Sequence, residues 1–213
     1  MAHRPVFVIH KSKPYVDVCT PEFVWNRGLS PTQKKKNVTA LHEAFRLRFP
    51  DRKILEISSK SSEELGVRLS AFNLMKYLPE LEMSVPVECI YQGSKVFAGG
   101  GPYCDLYTAT SRQAKKDARI KSSGIPEKFR FDGCDFPTNP TTVFYDWLYI
   151  NALLENPELA RQLMAYEAFT DIEFNPNTSQ NCQARAAALF VSLHRAGLID
   201  QCRDFDKFLM LMK

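Results

Sequence analysis

The chain has 213 residues, 45% hydrophobic and 24% charged, with a formal net charge of +4, a composition ordinary for a globular protein with a real core and basic enough to permit, without demanding, a polyanionic partner. No apolar run is long enough to cross a bilayer, and the first apolar stretch, residues 5–9, is too short for a secretory signal, so a cytoplasmic protein with no membrane attachment is expected. The six cysteines include no C-x-x-C pair and the nearest two stand fifteen residues apart, which excludes the usual zinc and redox spacings and leads to an expectation of reduced thiols, no metal and no cofactor.

Along the chain, residues 5–9, 15–18 and 22–25 are rich in Val, Ile, Phe and Tyr and predict two or three short strands. Ser30-Pro31-Thr32-Gln33 then combines an N-cap serine, a proline in the first turn and a glutamine three residues after the cap, which predicts a helix start. Val38, Leu41, Phe45 and Phe49 follow at helical spacing, and Pro50-Asp51 ends the run. Residues 53–57 read as another strand. Ser61-x-x-Glu64 has the capping-box form, and the type of the apolar segment 68–74 is ambiguous by period. A helix is predicted from Pro86 to Phe97, stopped by Gly99-Gly100-Gly101. Thr110-Ser111 opens a polar helix to Arg119. Residues 124–140, with three prolines and two glycines, read as loop around a strand at 128–131. Residues 141–155, apolar on nearly all sides, predict a central helix. Asn156-Pro157-Glu158 opens a helix to about Ala168, residues 180–196 form an alanine-rich helix ended by Gly197, and 203–213 add a short final helix. Neither repeats nor linkers interrupt this order, so the expected fold is α+β, a helix-dominated single domain over residues 1–213 with a few short N-terminal strands.

Within the helix expected at 86–97, Glu88, Gln92 and Lys95 return to one face. The stripe spans about two turns, roughly 10 Å. That length suits a sugar with part of its attached groups. An acidic first turn and a basic last turn also arise in any surface helix, through the helix dipole, and spacing alone leaves both explanations open.

The segment Glu88-Cys89-Ile90-Tyr91-Gln92-Gly93-Ser94-Lys95 resembles the E-x-x-(F/Y)-Q-x-x-K signature of the NADAR (YbiA-like) family. Four further segments stand in the family's order. Leu69-Ser70-Ala71-Phe72-Asn73 is similar to its L-S-N-F motif, and Asn156-Pro157-Glu158-Leu159 with Leu163 to its N-P-E-L helix. Asp171-Ile172-Glu173-Phe174-Asn175 is similar to D-x-x-W-G, and Asn181 stands at its G-x-N-x-L-G asparagine. The sequence departs from these patterns at Ala71, at Phe174-Asn175 and across residues 180–185. The family core would cover residues 61–200, with 1–60 specific to a branch. That branch, encoded beside DNA-targeting ADP-ribosyltransferase toxins, also resembles this chain at residues 30–42, 54–60 and 144–148.

The resemblance implies an ADP-ribosyl glycohydrolase that removes ADP-ribose from guanine bases in DNA, and so an antitoxin whose functional partner is a DNA ADP-ribosyltransferase toxin. Glu88, Lys95 and Asp171 would be catalytic. Ser70, Phe72, Asn73, Tyr91, Gln92, Arg112, Trp147 and Asn181 would bind substrate: the amides orient it, and Tyr91 or Trp147 stacks on a base. Cleavage at the ribose passes through an oxocarbenium-like state that Glu88 would stabilise, or Glu88 would activate water. Lys95 has two available roles: protonated, to hold a phosphate or to protonate the leaving group; neutral, to attack the anomeric carbon and form a Schiff base. Asp171 would orient Lys95 or bind ribose hydroxyls, unless it caps a turn. The other functions compatible with the sequence are an N-glycosidase acting on a small ribosylated metabolite, and a non-catalytic protein that binds ADP-ribose or the toxin. A transferase is disfavoured, because no NAD-binding arginine and catalytic glutamate pair of that class is found.

Overall fold

In the computed structural model, which describes residues 1–213, the chain opens with β1 (Ala2–His3), β2 (Val6–Ile9), β3 (Val16–Cys19) and β4 (Glu22–Phe23). Ser30 then caps α1 (Pro31–Arg48): its Oγ accepts the Gln33 amide at 3.3 Å, and Pro31 fills the first helical position. Both are as the sequence predicts. Next come β5 (Ile54–Glu56), α2 (Glu64–Arg68), β6 (Met75–Leu78), β7 (Met83–Pro86), α3 (Val87–Gly93), β8 (Lys95–Val96), α4 (Ser111–Lys116), α5 (Ala118–Ser122), β9 (Lys128–Phe131) and β10 (Cys134–Phe136). The last third holds α6 (Val143–Leu154), α7 (Pro157–Leu163), β11 (Ala168–Thr170), α8 (Gln183–Arg195) and α9 (Phe205–Met212). With 44% helix and 17% strand the fold is α+β and helix-dominated.

Several elements differ from the sequence reading. The helix expected to reach Phe97 stops at Gly93, and Lys95 lies on a strand. The helix expected to reach Ala168 stops at Leu163, which frees Ala168–Thr170 to form β11. The polar helix from Ser111 breaks at Asp117, whose extended backbone ends α4 and whose side chain caps α5 by accepting the Arg119 amide at 2.8 Å. The hairpin β6–β7 carries no turn dipeptide and was not anticipated.

Two compact units divide the chain, residues 1–70 with 157–201, and residues 71–156 with 202–213. The first contains a four-stranded sheet in the order β3-β2-β11-β5, in which β11 runs antiparallel to β2 and parallel to β5. Val6, Val8, Ile54 and Ala168 of this sheet pack with Val38, Leu41 and Phe45 of α1, while α8 lies against β2 and β11. Every residue of β5 and β11 is buried, so their polar side chains must find partners inside. Glu56 does so. Its Oε1 accepts from Ser58 Oγ at 2.6 Å and the Ile172 amide at 2.9 Å, and its Oε2 accepts from Thr170 Oγ1 at 2.6 Å. Thr170 Oγ1 in turn lies 2.8 Å from His42 Nε2. Burial, helped by the charge of Arg46, holds the His42 pKa at about 3, so its ring is neutral and Nε2–H is free to donate to the hydroxyl.

In the second unit β8, β9 and β10 form an antiparallel sheet. Phe129, Phe131 and Phe136 of that sheet surround Phe144 of α6, with Phe129 stacked on it at 4.5 Å and 21°. Phe205 of α9 meets Phe136 edge-on at 4.7 Å. This aromatic core is the platform against which α3 and β8 are set. No helix of the chain is long and apolar enough to cross a membrane.

Candidate functional site

α3 starts where the chain leaves β7 at Pro86, and its first amides need partners outside the helix. The Ala71–Leu74 segment supplies them: the Val87 amide donates to Leu74 O and the Glu88 amide to Ala71 O, both at 2.9 Å. The segment that resembles the family's L-S-N-F motif therefore anchors the backbone of Glu88 through its carbonyls. Every residue of α3 is buried. Glu88 is only 6% exposed and Gln92 7%. One turn apart, they are joined by Gln92 Nε2 donating to Glu88 Oε1 at 3.0 Å, the bond expected of i,i+4 neighbours. Gln92 Oε1 is buried with no partner. An unpaired buried amide oxygen costs free energy unless a ligand donor meets it.

The helix ends at Gly93 because the chain there runs close under a tyrosine. A Cβ at Gly93 would lie 2.5 Å from Tyr107 Cε1 and 3.0 Å from Tyr103 O. Ser94 Oγ donates back to Ile90 O at 2.7 Å and lies 3.1 Å from Tyr107 Oη, and Lys95 then enters β8 opposite Phe129. Gly101 backs this strand at a φ of +96°, and a Cβ there would collide with the Lys95 carbonyl. The three glycines thus close a turn behind Lys95; they do not terminate a helix. Gly93→Ala is expected to destabilise the protein by about 1–3 kcal/mol through overpacking against Tyr107, read as a lower midpoint in urea unfolding; an unchanged midpoint would mean that Tyr107 swings aside at no cost.

On β8 the Lys95 side chain shares a face with its cross-strand partner Phe129. Its Nζ lies 4.7 Å from the centroid of Tyr91, a ring itself packed on Phe129 at 5.4 Å and edge-on to Tyr145 at 5.1 Å. An ammonium against this aromatic wall loses much of its hydration. Burial, opposed by the negative charge of Glu88 and assisted by the positive charge of Lys115, brings the Lys95 pKa down from 10.5 to about 8. Glu88, Gln92, Tyr91 and Lys95 therefore meet as the signature spacing predicts, although the route is a helix and a strand in place of one helix.

The other predicted residues are distributed as follows. Phe72 is half-buried beneath Lys115, whose Nζ is 5.2 Å from its centroid, and Asn73 beside it is exposed. Arg112 lies exposed on α4. Trp147 packs with Phe136 at 5.1 Å, Phe144 at 6.3 Å and Phe205 at 5.6 Å, and its buried indole N–H has no acceptor. Three predicted residues belong to the first unit. Ser70 is buried and donates to Val67 O at 2.7 Å, closing the end of α2. Asp171 accepts from the Glu173 amide and from Gln183 Nε2, each at 3.0 Å, so it does shape a turn as aspartate commonly does. Asn181 precedes α8 and is half-buried.

One buried feature is absent from the sequence reading. Glu56 with Thr170 and His42 forms the buried polar network that fixes both ends of the peptide around Asp171; the legible signal was a glutamate inside the apolar run Ile54-Leu55-Glu56-Ile57. Lys115 is legible in the sequence, with Arg112, as a cation able to meet a phosphate, with solvated surface as the ordinary alternative.

A family model described as DarT1-associated NADAR antitoxin matches residues 2–213. No curated protein matches the chain.

Proposed function

The chain belongs to the DarT1-associated NADAR antitoxin family, and from that premise we propose that it hydrolyses the bond between ADP-ribose and guanine in DNA, reversing the product of a DNA ADP-ribosyltransferase toxin. The antitoxin role follows from the family. The cleavage reaction rests on one observation above all: a lysine amine desolvated against Tyr91, with a pKa of about 8, beside the buried carboxylate of Glu88. A lysine of ordinary basicity is almost wholly protonated at neutral pH and cannot attack carbon; lowering its pKa restores a useful fraction of free amine.

In this mechanism the Lys95 Nζ lone pair attacks the anomeric carbon of the ribose. The bond from that carbon to the guanine nitrogen breaks, and its electron pair leaves with guanine. The proton that Nζ loses passes through the Glu88 carboxylate to the departing nitrogen. The glycosylamine on Lys95 opens its sugar ring to a protonated imine: the bond from the anomeric carbon to the ring oxygen breaks with its electron pair on the oxygen, which then takes the proton that Glu88 receives from water in the next step. Water, giving a proton to Glu88, adds to that carbon; the carbon–Nζ bond then breaks, the amine recovers its proton and ADP-ribose departs. The sum is adduct plus water to guanine plus ADP-ribose. Gln92 Nε2 holds one Glu88 oxygen in place, and its unpaired Oε1 is an acceptor for a ribose hydroxyl or a base N–H. Arg112, Phe72, Asn73 and Trp147 are assigned to substrate binding, as are Ser70 and Asn181, and Asp171 to the catalytic set, on their match to the family motifs. Residues 1–213 are taken as one functional domain of a cytoplasmic protein.

The test uses single-stranded DNA carrying ADP-ribose on guanine, with adduct loss followed by mass spectrometry. Release of free ADP-ribose and restoration of unmodified guanine is the expected result. If the adduct survives while a small ribosylated pyrimidine is cut, the substrate assignment is wrong; if neither is cut and the protein still protects cells from the toxin, the protein acts by binding.

A further inference from the structure

A second amine stands near Lys95. α4 is tied to α3 and to the Phe72 loop by its own N-terminus: Cys89 Sγ donates to Ala109 O at 3.3 Å, and Ser111 Oγ donates to Phe72 O at 2.9 Å. Thr110 and Gln113 cap the helix reciprocally. Ala114 is buried beneath it, and Lys115 extends its Nζ over the Phe72 ring. Arg112, three residues earlier, shares that side of the helix, and its first turn carries no acidic residue. In this unit Arg119 pairs with Asp105 and Asp117, Lys128 and Arg130 with Asp135, and Lys76 with Glu155. Lys95, Arg112 and Lys115 stand in no such pair, yet Lys115 is near enough for its charge to act on Lys95. Glu88 offsets the Lys95 charge, so the cations left without a counter-charge here are Arg112 and Lys115, whose mutual repulsion a bound anion removes.

We propose that Lys115 is a phosphate-binding residue, its ammonium over Phe72 taking a phosphate of the diphosphate in an ADP-ribosyl ligand while Lys95 reaches the ribose. This deepens the glycohydrolase reading and rests on it for the placement of the ribose. A lysine suits the task as a compact point charge with three rotatable donors, free to follow either of two linked phosphates. The Phe72 ring restricts the side chain, so less entropy is lost when the anion arrives.

Binding to the intact protein, measured by titration calorimetry with ADP-ribose, ADP and adenosine as probes, tests this without requiring turnover. Lys115→Ala is expected to weaken ADP-ribose and ADP by about tenfold or more, the loss of one charge-assisted hydrogen bond, and to leave adenosine unchanged. Lys115→Arg should recover most of the affinity. In the hydrolysis assay, run above about pH 9 where the Lys95 amine is largely free with or without the Lys115 charge, Lys115→Ala should raise KM with kcat within about threefold, because this contact is made equally before and in the transition state. Equal affinity of Lys115→Ala and wild type for ADP-ribose overturns the proposal. So does an equal weakening of adenosine, which points to a disturbed Phe72 surface, and so does a loss confined to kcat. A wild type that binds ADP-ribose through Lys115 and leaves the DNA adduct intact sinks the DNA reading and keeps the subsite. A wild type that cleaves the adduct beside an unimpaired Lys115→Ala sinks the subsite alone.

Discussion

Lys95→Ala is expected to lower kcat for ADP-ribose release by about a thousandfold or more, since it removes the amine that stands against Tyr91 beside Glu88 and acts as nucleophile. Lys95→Arg should be as inactive, because a guanidinium keeps the charge and cannot be deprotonated. That comparison separates the two roles open to Lys95: an anchor for phosphate would survive the exchange for arginine in part, a nucleophile would not. Borohydride added during turnover should leave an ADP-ribosyl mass on wild-type protein and none on either variant. The pH profile gives an independent sign. Burial, opposed by Glu88 and assisted by Lys115, places the Lys95 pKa at about 8, so the free-amine fraction increases between about pH 7 and about pH 9 and kcat should rise over that interval and then level. A fall in kcat across the same interval, with Lys95→Arg active, would remove the covalent mechanism and leave Lys95 as a cationic anchor. Circular dichroism on each variant keeps loss of folding apart from loss of chemistry.

Glu88→Gln carries the second large effect, a fall in kcat of about 10²- to 10⁴-fold, the usual range for removing a positioned acid–base group. The substitution preserves shape, and the amide oxygen still accepts from Gln92 Nε2, so the unfolding midpoint should stay near that of wild type. A second consequence distinguishes catalysis from simple damage. The Glu88 charge raises the Lys95 pKa; removing it lets burial and Lys115 act unopposed, so the residual activity should begin its rise at a lower pH than in wild type. A variant with full kcat would show that proton transfer runs through another group, and one with lost activity and an unmoved pH limb would place Glu88 outside the electrostatic reach of Lys95.

Much of this was legible in residue order. The Ser30 cap and the 38, 41, 45 spacing specify α1 because a cap and a buried stripe are local properties of one helix. The five motif segments were enough to name the family, and the match beginning at residue 2 brings the N-terminal strands and α1 into it along with the core. The bond between Glu88 and Gln92 needs nothing beyond a single helical turn. Elements that exist only through distant partners were not legible. Ala168–Thr170 is three residues long and becomes a strand because Val8 and Phe7 on one side and Ile54 to Glu56 on the other supply its hydrogen bonds. The sequence reading carries the preceding helix as far as about Ala168 and offers no strand there.

Lys95 shows the division most sharply. Sequence spacing brings it near Glu88 by assuming a helix to Phe97, and a straight helix would have left its amine two turns further along that helix. Gly93 beneath Tyr107, and Phe129 as strand partner, end the helix early and turn the lysine onto β8. Residue types and their order determined which groups could carry chemistry: a carboxylate, an amide and an amine within one short segment. Whether the amine is reactive depends on desolvation by Tyr91 and on the charges of Glu88 and Lys115. Desolvation and charge act through space, so Tyr91's packing against Phe129 and Tyr145 and the placement of Lys115 from α4 were settled by the tertiary structure alone.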